Sequence, residues 1–509
     1  MSGTALVWFR RDLRLHDNEV LTAGATADRL CPVYCFDPRE YGEREFGGRQ
    51  SFSYVKTGPH RVRFRRESVR ELRGCLRERG NELVVRHARP ETAIPALVDA
   101  LDADRVLFQR LPTAEEVGVE TAVREALPED VRVDARWTHT LYHPDDLPVE
   151  PAGIDDTFTP FRKRVEAAAS VRDPIPEPSL PPGPGVVDAG ADDREGADRV
   201  DAVEGGPIDG RDDAVPAGTI PSASDLGVEE PTPDDRAVLP FAGGESAALD
   251  RVEEWIWDGD HLREYKATRN GLVGSSYSSK LSPWLAEGCL SPRYVHAEVD
   301  RYEDRRVSNE DTYWLVFELL WRDFFAFQFA RHGAKFFERG GIRGRTDVDW
   351  RVDEADLRRW AVGETGIPFV DANMRELAAT GYVSNRGRQN VASFLAKNLR
   401  LDWRLGAAYF ETQLVDYDPA SNYGNWAYVA GVGNDSRDNY FDILGQARRY
   451  DPEADYVELW CPELSPLPAE YAHEPWTLSP EEQADYGVEL GVDYPRPMID
   501  LEASYEKLR

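Results

Sequence analysis

The chain has 509 residues, long enough for two or three domains that each bury their own core. Its 93 acidic residues outnumber 61 basic ones, a formal net charge of −32. That excess argues against simple charge-driven adhesion to nucleic acid and fits solvation in a salt-rich cytoplasm, where long-range repulsion is screened. The opening MSGTALVWFRRDLR lacks the cleavable apolar stretch of an export signal, and no run approaches the roughly 18 apolar residues of a membrane span. A cytoplasmic location without membrane contact is expected.

From residue 4 to about 135, short apolar runs (ALVWF, CPVYCF, ELVVRH, DRVLFQ, VRVDA) alternate with helix-like stretches at 60–79 and 91–101, which predicts a parallel α/β sheet. The five cysteines are scattered; Cys31 and Cys35 fall in an apolar strand and read as core residues rather than metal or redox groups. Residues 136–250 are read as an interdomain connection. Its acidic, Pro/Gly-rich part at about 172–248 holds too little apolar surface to order itself. From 251 to 509 the pattern is helical and aromatic, with only Trp8 and Trp137 of thirteen Trp lying earlier. Against the overall charge, basic runs persist at 10–14, 61–73, 162–164 and 385–388.

Several stretches of the helical part carry polar groups where an apolar core is expected. In GSSYSSKLSPWLAEGCLSP (274–292), Ser282-Pro283 and Ser291-Pro292 each read as an N-cap hydroxyl before a first-turn proline. The hydroxyls of Ser275, Ser276, Ser278 and Ser279, with Lys280, crowd the first start. This is either an anion seat for a phosphate or a plain Ser-rich loop. In SNRGRQNVASFLAKNL (384–399), Arg388 shares the inward face with Val391 and Leu395, so its buried charge needs a partner, Asp416 or Asp418. YWLVFELLWRDFFAFQFA (313–330) is apolar nearly all round yet carries Glu318 and Arg322 four residues apart. They read either as a structural ion pair or, with Trp321, as the lining of a pocket for a flat, hydrogen-bonding substrate.

DYDPASNYGNWAY (416–428) combines two carboxylates, two asparagines, a glycine and an exposed-looking Trp426. It is no calcium loop, because Ser421 and Ala427 stand where Gly and a carboxylate are needed. Gly431-x-Gly433 is no dinucleotide fingerprint, because Ser436 replaces the third Gly. No metal site is expected.

Five stretches in order, VWFRRDLRLHDN (7–18), YSSKLSPWLAEGCLSPR (277–293), LLWRDFF (319–325), NRGRQNVASFL (385–395) and DYDPASNYGNW (416–426), resemble the photolyase/cryptochrome family, in particular a haloarchaeal-like cryptochrome DASH. The resemblance covers nearly the whole chain except the linker. It implies a Rossmann-like α/β domain joined by a crossing linker to an all-helical domain that holds U-shaped FAD. By resemblance, Asn422 faces flavin N5, Asp416 pairs with Arg388, and Asp418 contacts the flavin or its ribityl chain. The glycine of that stretch, Gly424, then lets backbone approach the ring. Ser278, Ser279 and Ser282 take the pyrophosphate, flanked by Lys280 and Leu281, with Tyr265, Arg322 and Asn385 completing the cofactor contacts. Trp426, Trp403 and Trp350 match the family's electron-carrying indoles, and the ten-residue step from Trp350 to Trp360 also fits the pattern.

The implied activity is light-driven splitting of cyclobutane pyrimidine dimers, with Glu318 bonding the base, Trp321 stacking on it and Arg386 a substrate-side cation. Gln389 and Tyr428 stand where double-strand photolyases carry apolar or larger aromatic residues. The more polar pocket suggests single-stranded DNA, whose bases are already unstacked. The folate antenna of relatives is gripped by a glutamate, but Leu111 or Pro112 stands at that place, while FTPFRKRVE (158–166) resembles the folate-contacting segment. Methenyltetrahydrofolate, another chromophore and no antenna all stay open. A monomer is expected. The alternatives are a blue-light photoreceptor, weakened by the short YEKLR end, and a dark flavin oxidoreductase, for which no nicotinamide fingerprint is present.

Overall fold

The computed structural model describes residues 3–46, 52–187, 215–434 and 440–508. Each apolar run of the first part forms one strand: β1 (Thr4–Phe9), β2 (Arg29–Cys35), β3 (Val84–Arg86), β4 (Ala103–Gln109) and β5 (Arg132–Arg136). They pair in parallel in the order β3-β2-β1-β4-β5. β1 shows why its sequence is continuously apolar. Ala5, Val7 and Phe9 face α1 (Pro59–Glu78), packing with Phe64, Leu72 and Leu76, whereas Leu6 and Trp8 face α2 (Pro90–Leu101), packing with Ile94 and Leu97. Successive side chains point to opposite faces and both faces are covered. Cys31 and Cys35 lie buried as free thiols in the second of these cores.

The linker departs from expectation. Residues 172–187 and 215–248 fold against the α/β domain, whereas 188–214 lie outside the described residues. Ile175 donates its N–H to Asp17 (3.0 Å), the Asn81 amide reaches Pro181 O (3.1 Å), and Val85 N–H bonds Ala217 O (2.7 Å). Ala223, Leu226, Val238 and Phe241 are buried. Composition counts apolar residues within a segment; here a few of them reach a core that already exists, which lowers the ordering cost.

Two of the basic runs prove to be internal clamps. From the turn after β1, Arg14 bonds Gly288 O (2.9 Å), Asp17 takes Arg293 through both oxygens (2.6 and 3.0 Å), and His16 Nδ1 meets Glu245 (2.5 Å). From α1, Arg65 forks onto Glu287 (2.8 and 3.0 Å), while Arg61 donates to Leu414 O (3.1 Å). Arg14, Arg61, Arg65 and Arg293 are all buried. Planar guanidinium forks suit such sites because they satisfy carboxylates and carbonyls simultaneously.

The helical part is organised around α6 (Glu310–His332), which follows α3 (Phe158–Ala168), α4 (Ser282–Glu287) and α5 (Pro292–Arg305). Asn309 caps α6, accepting from Asp311 and Thr312 N–H groups at 2.9 Å. After it come α7 (Glu354–Ala361), α8 (Asn385–Ser393, continued as a π turn over Phe394–Asn398), α9 (Trp403–Gln413) and α10 (Pro419–Ala430). Among the described residues no helix is long and apolar enough to cross a membrane.

Candidate active site

A cavity of about 490 Å³ opens between the 277–282 loop, α6, α8 and α10. The stretch 416–428 builds one wall through local chemistry. Asp418 caps α10, accepting Ser421 N–H at 2.7 Å, Pro419 takes the first turn, and Gly431 ends the helix at φ 81°. Helical spacing then turns Asn422, Asn425, Trp426 and Val429 toward the cavity. Asn422 donates its amide to Ala407 O (3.0 Å). The exposed-looking Trp426 is 2% exposed. The two helix-associated glycines serve packing: a Cβ on Gly424 would lie 2.2 Å from Phe325 of α6, and Gly431 supplies the left-handed turn. Neither lines the cavity.

Of the two carboxylates offered for Arg388, Asp416 is the partner: Arg388 Nη2 and Ser282 Oγ both donate to its Oδ2, at 2.8 and 2.6 Å. Among the described residues its Oδ1 is buried without a partner, as is the Tyr277 hydroxyl on the same cavity wall. Burial opposes the charge on Arg388, but Asp416 outweighs it and pushes the guanidinium's pKa up. Asp418 is half-buried; desolvation opposes its charge, yet Arg322 and Arg11 hold its carboxyl below the ordinary range. Ser291 caps α5 as read, accepting Arg293 N–H at 3.2 Å. Ser282 does not cap; it is the first residue of α4, and its hydroxyl is committed to Asp416. Lys280, held at φ 54°, does not point to that helix start. Its amine bonds Ser275 O (3.2 Å) over the Tyr277 ring, and burial beside Arg251 lowers its pKa to about 6.

On α6 the Glu318 to Arg322 ion pair, one of the two readings of this helix, does not form; both side chains line the cavity. Arg322 donates to the carbonyls of His139 and Leu285, while Glu318 Oε1 receives Arg269 Nη1 (2.7 Å) and Trp314 Nε1 (3.1 Å). Burial raises the Glu318 pKa, opposed by Arg269 and Trp314. Trp321 lies three residues on, one face stacked on Phe158 of α3 (3.7 Å between centroids, 7°). Arg386 stands at the mouth, bonded to Asn270 (2.8 Å) and Gln389 (3.0 Å) and lying over the Tyr450 ring. The cavity lining thus gathers Tyr265, Ser278, Ser279, Lys280, Leu281, Ser282, Glu318, Trp321, Arg322, Asn385, Arg388, Gln389, Asp416, Asp418, Asn422, Trp426 and Tyr428. Arg386, Trp403 and Trp350 are outside it.

Other aromatic rings pack edge-on against two of the three indoles expected to carry electrons. Trp426 meets Trp360 of α7 edge-on (6.1 Å) and Phe410 (5.1 Å), whereas the ring neighbour of Trp403 is Tyr423 (6.2 Å). Trp426 also packs on bare α9 backbone at Gly406, one turn from Trp403. Trp350 is buried, and among the described residues its indole N–H has no partner.

A second cavity, about 840 Å³, sits at the carboxyl ends of β1, β2 and β4, where the strand order reverses. Leu111 lines it. Glu115 and Glu116 do as well, but they are engaged by Lys56 (2.6 Å) and Arg11 (3.2 Å).

Sequence reading missed Arg269, Trp314, Phe158, Tyr277 and Tyr382. Trp314 could have been found as the residue one turn before Glu318, on the same helix face. Arg269 and Phe158 arrive from distant segments, and no spacing marks them.

The DNA photolyase family matches residues 5–180, and the FAD binding domain of DNA photolyase matches residues 314–509. The chain is 57% identical over 507 residues to a cryptochrome DASH of Natronomonas pharaonis, covering 99% of this chain and all of the relative. The chain belongs to the cryptochrome DASH branch of the photolyase/cryptochrome family. A cryptochrome DASH of Gloeobacter violaceus is 50% identical over 98% of this chain and 93% of its own. The crystal structure of a Synechocystis cryptochrome superposes with a TM-score of 0.90 at 44% identity, covering 100% and 99% of the two chains. A class III photolyase of Agrobacterium tumefaciens gives 0.81 at 27%, covering 100% and 96%. This cryptochrome DASH chain therefore has the photolyase fold and its FAD-binding domain. The orphaned Asp416 Oδ1 and Tyr277 hydroxyl suit a buried polar ligand, and the residues present fit FAD.

Proposed function

We propose that this chain repairs cyclobutane pyrimidine dimers under blue light, preferring single-stranded DNA, with FAD held in the 490 Å³ cavity. The observation that carries the reading is the side-by-side placement, on one face of α6, of a carboxylate already fixed on one oxygen and an indole already stacked on one face. Glu318 and Trp321 thus each keep one surface for a flat base.

Reduced FAD supplies, when excited, one electron that the dimer returns after its two inter-base C–C bonds have broken. The chain's own residues do the rest. Asp416, oriented by Arg388 and Ser282, offers its free Oδ1 to a ring N–H. The Asn422 amide is anchored on Ala407 O and turned to the same space. The 278–282 loop lines the side where the phosphates would lie, with Tyr265 at the far end. Gln389 and Tyr428 keep the mouth polar, so less apolar contact offsets the cost of extruding a base from a duplex. Arg386 is a cation for the strand itself.

A folate antenna draws no support from the geometry. Leu111 or Pro112 stands where relatives carry the gripping glutamate, and Phe158 of the FTPFRKRVE segment turns to Trp321. The relatives' name favours a second reading, a light receptor with little repair.

The deciding experiment follows loss of thymine dimers from single- and double-stranded oligonucleotides under blue light, using flavin-loaded, reduced protein. Loss from the single strand, abolished by Glu318→Ala, supports repair. No loss from either substrate overturns it in favour of the receptor.

A further inference from the structure

Glu318 is gripped from behind. Both donors that reach it, Arg269 Nη1 at 2.7 Å and Trp314 Nε1 at 3.1 Å, land on Oε1, and among the described residues Oε2 has no hydrogen bond. The indole is itself fixed. It stacks on Phe317 at 4.5 Å and 28°, and Lys266 Nζ (4.5 Å) and Arg269 Cζ (5.2 Å) lie over it. Lys266 is tied in turn to Glu310. A half-buried carboxyl with a single donor swings about its last torsion, a broad and soft one. Two donors from different directions on the same oxygen remove that freedom and leave the other oxygen with one orientation.

We propose that Trp314 is a positioning residue for substrate recognition: its indole N–H, acting with Arg269, locks Glu318 so that Oε2 alone faces a pyrimidine in the cavity. This rests on the repair reading of that site. The recognised group is a hydrogen-bond donor, such as a ring imide N–H, because Glu318 held by two donors is kept as an acceptor. Charged and titratable groups facing Glu318 are Arg269 and Tyr265 from the preceding segment and Arg322 on its own helix, with Arg386 across the mouth beside Arg269. Removing the indole takes away one of the two influences that hold the Glu318 pKa down against burial. The acid limb of recognition then moves to higher pH.

The test measures dark binding of a single-stranded oligonucleotide with one thymine dimer, and of its undamaged twin, to flavin-loaded protein between pH 5 and 9. Trp314→Phe keeps the stacking and loses the donor. Its expected cost is a loss of about threefold to tenfold in dimer affinity, with little change for the undamaged strand. The loss grows toward low pH and vanishes when Glu318→Gln is already present. Equal losses with and without Glu318 reduce the indole to packing and overturn the proposal, as does an unchanged Trp314→Phe variant beside an impaired Glu318→Gln. If Glu318→Gln itself binds the dimer like the parent, the repair reading of this site fails first. Unaltered flavin content of each variant excludes misfolding as the cause.

Discussion

Arg388 and Asp416 meet at 2.8 Å through a single carboxylate oxygen, and the same oxygen also takes the Ser282 hydroxyl. Three segments distant in sequence are thereby joined at one atom, and the second oxygen is left for a ligand. The side chain of Asp416 is 3% exposed. Arg388→Ala therefore leaves a buried carboxylate with one neutral donor and is expected to cost about 3 kcal/mol. Urea unfolding of the purified variant measures this, and gel filtration should show bound flavin lost.

Gly406 lets the Trp426 ring lie on bare α9 backbone. An added Cβ would fall 2.2 Å from the ring's Cη2 atom. Gly406→Ala must push that indole toward the cavity or part the helices, a destabilisation of about 1 to 3 kcal/mol. Light-driven bleaching of bound flavin in the presence of a reductant should slow in this variant and more so in Trp426→Phe. Unchanged bleaching in both removes Trp426 from the electron path.

Glu376 is buried, with Tyr456 donating to it at 2.6 Å and with Lys280 and Arg388 facing it; burial lifts its pKa to about 8. The folded state thus keeps this proton across a range where the unfolded chain, with an ordinary carboxyl, has lost it. Stability from this group is full at acid pH and falls as pH rises from about 4.5 to about 8. The low pKa of Lys280 works oppositely, adding stability from about 6 upward. Glu376→Gln should lessen the decline between pH 5 and 6, where Lys280 contributes little slope and buried Asp323, its pKa raised to about 7, keeps its own share. Denaturant midpoints across that interval provide the check.

Gly288 closes α4 at φ 71°, and a Cβ there would lie 1.9 Å from Arg11 O in the turn after β1. Both the left-handed backbone and the contact between the two domains exclude a side chain. Gly288→Ala should cost more than about 2 kcal/mol and expose the interface, seen as faster proteolysis between the domains. Gly80→Ala, also at positive φ but with open space around it, is the control for backbone strain alone.

Short-range information wrote much of this molecule into its sequence. Alternation of apolar runs with helical stretches dictated the parallel sheet, and the Asp418-Pro419 start and Gly431 stop of α10 follow from capping chemistry within four residues. Five ordered motifs identified the family and most of the cavity lining. What those motifs could not convey was which of two possible partners a charge takes. Asp416 was chosen over Asp418 for Arg388, and Arg269 over Arg322 for Glu318, because segments far apart in the chain arrive at particular distances. Composition also misjudged the flanks of the linker, since a segment too polar to fold alone can dock on a core built by other residues. Nor could it tell that arginines near the amino terminus clamp two domains instead of meeting a polyanion. Pairing energy depends on separations of a few Å and on burial, and both are set only once the whole chain has closed around them.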